Sequence, residues 1–125
     1  MTTLAAANIV LPPKQGVYHA IPLGVIDGDT FRVGYMVEDT VRIFGIDAPA
    51  IIGKTREAGI LSRNTLMLLV NNQRLTLDIL TREKYGRALA KVYDAGGMSI
   101  AESMVLAGQA VPWDGHGPRP SEEIK

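Results

Sequence analysis

Two short stretches set carboxylates where strands should end. "VIDGDT", Val25 to Thr30, places Asp27 and Asp29 around Gly28, and "IDAPA", Ile46 to Ala50, places Asp47 at the end of an apolar run. Two carboxylates that converge, with carbonyl or water oxygens, make a hard-cation site suited to calcium or magnesium. Aspartate at a strand end is also an ordinary turn residue that bonds its own backbone, and Asp27 is read that way. Arg42 sits inside an apolar strand, where a charge is costly without a partner. It is either a strand residue facing solvent or a guanidinium forked onto a phosphate near Asp47. Arg87 ends "EKYGR", Glu83 to Arg87, a charged turn that reads plainly as a solvated hairpin. In the same turn Lys84 and Tyr85 offer a cation and a ring for stacking a nucleotide. His19 and His116 have no ligand spacing and read as structural or exposed. Trp113 reads as a packing anchor rather than a base platform.

The elements that must carry these residues follow from periodicity. Val17 to Ile26 is β-prone with Pro22 interrupting, as in an edge or bent strand. Thr30 to Met36 alternates, with Phe31, Val33 and Tyr35 on one side. Val41 to Ile46 is a further apolar run, and Glu38-Asp39 is the expected hairpin link. Between Thr55 and Val70 the period becomes helical, with Ala58, Leu61, Thr65, Leu68 and Leu69 as the recurring face. Thr55 is the expected N-cap, and Asn71-Asn72 the expected stop. Arg74 to Leu80 and Arg87 to Tyr93 read as strands joined by the charged turn. "AGG" at Ala95 to Gly97 is a turn, and Ser99 with Glu102 makes a capping box for a helix that stops at Gly108. The class is mainly β with helices (α+β). Five short strands with a helix between the third and fourth match the five-stranded Greek-key barrel called the OB-fold, whose face often binds oligonucleotides or sugars.

The 125 residues suit one domain, read as an arm over 1–16, the barrel over 17–115 and a flexible tail over 116–125. A hydrophobic fraction of 46% supports a core, and the absence of cysteine removes disulfides, thiolate metal sites and cysteine nucleophiles. Thirteen basic residues balance thirteen acidic ones. A polyanionic partner therefore has to be held by a few placed cations or a metal rather than by bulk charge. "MTTLAAANIVLPP" lacks the basic start and long apolar core of a signal peptide. No run approaches the roughly 18 apolar residues of a membrane span.

"VIDGDT", "VRIFGIDAP" and "EKYGRALAKVY", in that order with a helix between the last two, resemble the staphylococcal nuclease (thermonuclease) family. "LAGQAVPWDG" is similar to the ending of bacterial members. The likeness covers Val17 to Gly115, and its three motifs together are specific. It implies the OB-fold and calcium-dependent hydrolysis of phosphodiesters in DNA or RNA by a monomer. Matched by motif position, Asp29 and Asp47 are the calcium carboxylates, with Ala48 contributing its backbone carbonyl. Arg42 and Arg87 hold the phosphate and stabilise charge in the transition state. Lys84 and Tyr85 touch substrate phosphates. Bacterial members are often exported, and the compartment of this chain stays unknown.

One position departs. After "DAP" the family pattern has a glutamate, the general base, and here that place is Ala50, which accepts no proton. General-base help is worth about 10²- to 10⁴-fold. Three accounts stand. Ala50 is an engineered inactivation, or a natural residue with Glu57 or Glu38 reaching in as substitute, or the mark of a non-catalytic oligonucleotide-binding module. The intact aspartates and arginines favour the first. A generic adaptor barrel, with the acids as turn residues, is the remaining reading.

Overall fold

A computed structural model describes residues 10–123 of the chain. The expected arm therefore lies partly, over residues 1–9, outside the described residues. Strands β1 (Gly16–Asp27), β2 (Thr30–Gly34), β3 (Glu38–Ile43), β5 (Leu75–Arg82) and β6 (Ala88–Tyr93) close a barrel in the order β1-β2-β3-β6-β5. All neighbours run antiparallel except β3 and β6, which run parallel with Arg42 opposite Leu89. Closure leaves the barrel without a free edge. The period of two is visible in burial: Phe31 and Val33, Val41 and Ile43, Leu75, Leu77 and Ile79, and Ala88, Ala90 and Val92 all point into the core. This is the OB-fold with two helices, as the strand order implied.

Helix α1 (Arg56–Val70) joins β4 (Ile46–Asp47) to β5, and α2 (Ile100–Leu106) follows β6. Ser99 caps α2 by accepting the Glu102 amide at 3.2 Å, and Gly108, at φ 73°, closes its end. Asn72 takes the left-handed conformation at φ 55° after α1, as its side chain permits.

Four expectations need correcting. The run Val41 to Ile46 is not one strand: it turns at Phe44-Gly45, where Gly45 has φ 93°, and restarts as β4. The hairpin between β2 and β3 turns at Tyr35 to Val37, so Glu38 and Asp39 open β3 instead of linking it. Thr55 precedes α1 without capping it, because its hydroxyl donates backwards to Ala50 O at 2.7 Å and Ile52 O at 3.2 Å.

The fourth correction is the face of α1. Its buried residues are Gly59, Ser62, Leu66 and Val70, while Leu61 is 60% and Leu68 82% exposed. The reason is distance rather than hydrophobicity. A Cβ on Gly28 would lie 1.8 Å from Ser62 Oγ, and one on Gly59 would lie 2.3 Å from Ala50 O. The helix meets the β1–β2 turn and the segment after β4 so closely that only small residues fit between them. Ser62 completes the junction by donating to Gln109 O at 2.6 Å.

Candidate metal and phosphate site

Each acid is positioned by the end of a strand. Asp27 behaves as the turn residue expected of it, its Oδ1 accepting the Asp29 amide at 3.2 Å. That turn aims Asp29 inward at the start of β2. The Asp29 carbonyl accepts the Ile43 amide at 2.8 Å, which holds the ends of β2 and β3 together. Asp47 ends β4, which pairs with β7 (Val111–Pro112) so that Asp47 faces Val111. This small ribbon, with Trp113 donating its amide to Gly45 O at 2.9 Å, brings the chain after α2 alongside the acids.

The two acids converge. Asp29 and Asp47 are each 1% exposed. Asp29 Oδ1 accepts from Thr30 Oγ1 at 2.9 Å and Oδ2 accepts from the Ala48 amide at 2.8 Å. Arg119 then spans the pair: Nη2 donates to Asp29 Oδ2 at 3.0 Å and also to Asp47 Oδ1, while Nε donates to Asp47 Oδ1 at 2.7 Å. The Ser121 amide donates to Asp47 Oδ2 at 2.7 Å. Burial pushes the Asp47 carboxyl up, but the Ser121 bonds and the Arg119 guanidinium outweigh it and hold it below the ordinary carboxylate value. Asp27 is pushed up to about 6, by burial first and then by the charge of Asp29 beside it.

Arg42 is buried at 3% exposure and is not a solvent-facing residue. Its Nη1 donates to Ile43 O at 2.9 Å and Ile46 O at 3.1 Å, and its Nη2 lies 3.9 Å from Asp29 Oδ2. The guanidinium is thus clamped by the turn at Phe44-Gly45, the break that the apolar pattern had hidden. The Trp113 ring is close to two guanidinium groups, its centroid 5.5 Å from Arg42 Cζ and 5.8 Å from Arg119 Cζ. Trp113 is half-buried and meets these guanidinium groups at the site, outside the main hydrophobic core cluster.

The other candidates are held by contacts of their own, and Glu83 lines a small cleft with Arg42 and Trp113. Arg87 pairs with Glu83 across its own turn at 3.1 Å, but the angle is poor, and Arg87 Nε and Glu83 Oε1 are left buried without hydrogen-bond partners. Arg87 and Tyr85 line a cleft of ≈ 360 Å³ with Arg32, Glu38, Asp39 and Thr40. Tyr85 is 83% exposed, with Lys84 Nζ 5.5 Å from its ring. Ala50 is half-buried, its carbonyl fixed by Thr55. Glu57 is exposed in the first turn of α1. Glu38 sits four strand positions before Arg42, about 13 Å along β3, and pairs loosely with Arg32 at 3.5 Å. His19 and His116 both lie at exposed positions, as expected.

Arg119 and Ser121 were missed. They belong to the stretch read as a tail, whose part from Arg119 to Ser121 packs on the acids. A signal was present: Arg119 stands between Pro118 and Pro120, and the residue before a proline is held extended, which presents a side chain at little entropic cost.

A cation fits the pair. Two hard carboxylates meet around one guanidinium, which occupies the place of positive charge. Among the described residues no group of three His, Cys, Asp or Glu gathers as ligands, so further ligands would be carbonyls, water or substrate oxygens. Ala48 enters through its amide, and its expected carbonyl contact stays an expectation.

Comparison with known proteins identifies the family. A protein of Escherichia coli O157:H7 described as an uncharacterized endonuclease is 34% identical over 93 residues, covering 74% of this chain and 59% of that relative. A protein of Escherichia coli with the same description matches to the same extent. The chain thus spans under two thirds of the length of these relatives. Residues 40–124, which include Arg42, Asp47, Arg87 and Arg119, match the family model described as staphylococcal nuclease homologue. With its closed five-stranded barrel and that match over most of its length, the chain belongs to the staphylococcal nuclease homologue family.

Proposed function

We propose that the chain is a calcium-dependent phosphodiesterase domain acting on DNA or RNA as a monomer, with turnover impaired by alanine at position 50. The observation that supports it most is the convergence of Asp29 and Asp47, from two different strands, on one cation with Arg42 beside them. Calcium held by the two carboxylates, with the Ala48 carbonyl as the expected third ligand, would supply Lewis-acid charge to a phosphodiester oxygen.

The remaining work belongs to side chains. Arg42 spends one nitrogen on two carbonyls and keeps the other toward the acids, so it is oriented before substrate arrives. Preorganised donors aimed at developing charge typically contribute about 10²- to 10³-fold each. Arg87 has an unsatisfied Nε and an easily exchanged partner in Glu83, which suits a residue that takes a phosphate oxygen on binding. Lys84 and Tyr85 stand on the same turn and would hold neighbouring phosphates and bases. Ala50 cannot take a proton from water, and the positions of Glu38 and Glu57 favour neither as a substitute base.

The test is cleavage of single-stranded DNA with calcium by this chain and by Ala50→Glu. The glutamate variant should cut about 10²- to 10⁴-fold faster. Equal rates would mean that another group serves as base, and Glu57 would be changed next. Binding without cleavage by both would replace the enzyme with a non-catalytic oligonucleotide-binding module.

A further inference from the structure

Acids that hold a metal against substrate must be reachable, yet Asp29 and Asp47 are covered. The cover is the chain's own segment from Gly117 to Ser121. Each of the four carboxylate oxygens already accepts a donor: Thr30 Oγ1, the Ala48 amide, Arg119 and the Ser121 amide. Two of these donors are built into the barrel and its β4 extension. The other two, Arg119 and Ser121, come from a segment outside the barrel. The Arg119 side chain is still 31% exposed, against 2% and 0% for the carboxylates beneath it.

We infer that Arg119 is a built-in cation that competes with calcium for Asp29 and Asp47, and that the segment Gly117 to Ser121 is a strap which lifts when the ion binds. The inference rests on the calcium reading above. One guanidinium brings a single positive charge to two carboxylates, so a divalent ion matches the pair better. The guanidinium has the advantage of being tethered, which gives it a high effective concentration. Below a threshold of free calcium the strap stays closed and the acids covered. Above it the ion takes the carboxylates, Arg119 leaves, and the Ser121 amide loses its acceptor. Pro118 and Pro120 make the strap stiff, so Arg119 and Ser121 should move together.

Trp113 makes this measurable, since its ring lies beside Arg119. Terbium, a hard trivalent stand-in for calcium, is titrated into the full chain, Arg119→Ala, Arg119→Gln and Asp47→Ala, with emission excited through Trp113 and chased with calcium. Both arginine variants should bind about tenfold more tightly or better, because the competent state is no longer a minor population. Asp47→Ala should show no sensitised emission. In the unaltered chain calcium should speed hydrogen exchange at the Ser121 amide. Equal or weaker binding by both arginine variants, or Ser121 exchange that calcium leaves unchanged, overturns the strap. If no variant gives Asp47-dependent emission while all unfold cooperatively, the calcium reading itself fails and the inference goes with it.

Discussion

The two ends of the β2–β3 hairpin each bury an aspartate under a guanidinium, and they are built differently. At one end Arg82 forks onto Asp39 at 2.7 and 2.6 Å and uses its remaining donors on Pro13 O and Gly86 O. Asp39 also accepts the Tyr35 hydroxyl at 2.7 Å and the Thr40 amide at 2.9 Å. One charge meets one charge and every donor is used. At the other end two buried carboxylates share Arg119, and Arg42 stands 3.9 Å off with its best contacts to carbonyls. The first arrangement ties the strand ends to the incoming chain at Pro13. In the second, one guanidinium serves two carboxylates, an imbalance of charge that a divalent cation would remove under the proposed reading. Satisfaction of donors, rather than the presence of an ion pair, separates a structural bridge from a candidate site.

Breaking the saturated end should have the largest effect on stability. Arg82→Ala strands the Asp39 carboxylate, whose side chain is 5% exposed, and should cost about 3–5 kcal/mol in chemical denaturation. Calcium should restore none of it. A smaller loss should follow Gly28→Ala, because the added Cβ runs into Ser62 and Ala48. About 1–3 kcal/mol is expected for such overpacking, with impaired calcium binding because the Asp29 turn is displaced. Arg119→Ala also leaves buried carboxylates short of a partner, but Arg119 is itself 31% exposed and its removal opens the acids to water, so about 1–2 kcal/mol is expected, and here calcium should recover the loss. If calcium rescued Arg82→Ala instead, the contrast between the two ends would collapse.

The subtlest difference is in pH dependence. Burial pushes the Asp39 carboxyl up, but the bonds from Arg82 and Tyr35 and the Arg82 charge carry it below the ordinary 3.8. Its contribution is therefore fully present above that value and is lost as pH falls through the lower folded value. Denaturation measured from about pH 5 to about pH 2 should show a shallower acid slope for Asp39→Asn than for the unaltered chain. Equal slopes would show that Asp39 titrates alike folded and unfolded.

The legible part of the fold was local. Alternation in Thr30–Val33 and Leu75–Ile79, the cap at Ser99 and the glycine at Gly108 each express a neighbour-to-neighbour rule, and each was readable along the chain. The resemblance carried Asp29, Asp47 and Arg42 to one place before any geometry was known. What stayed hidden depends on partners distant in sequence. The face of α1 is set by the approach of Gly28 and Ala50, so a pattern of large apolar residues pointed to the wrong stripe. The break at Phe44-Gly45 is set by the Arg42 clamp and the pairing of β4 with β7. Arg119 reaches Asp29 across 90 positions, and nothing near Arg119 in the chain reveals that carboxylate.

By itself, then, the amino-acid order determined strand and helix type and supplied the two aspartates and Arg42 as candidates, because composition and short-range periodicity depend on residues within a few positions. Only the tertiary structure decided which side of the helix is buried and which cation covers the acids. Close packing and ion pairing act through space, and their outcome is settled when the barrel closes and brings the strand ends beside the returning chain.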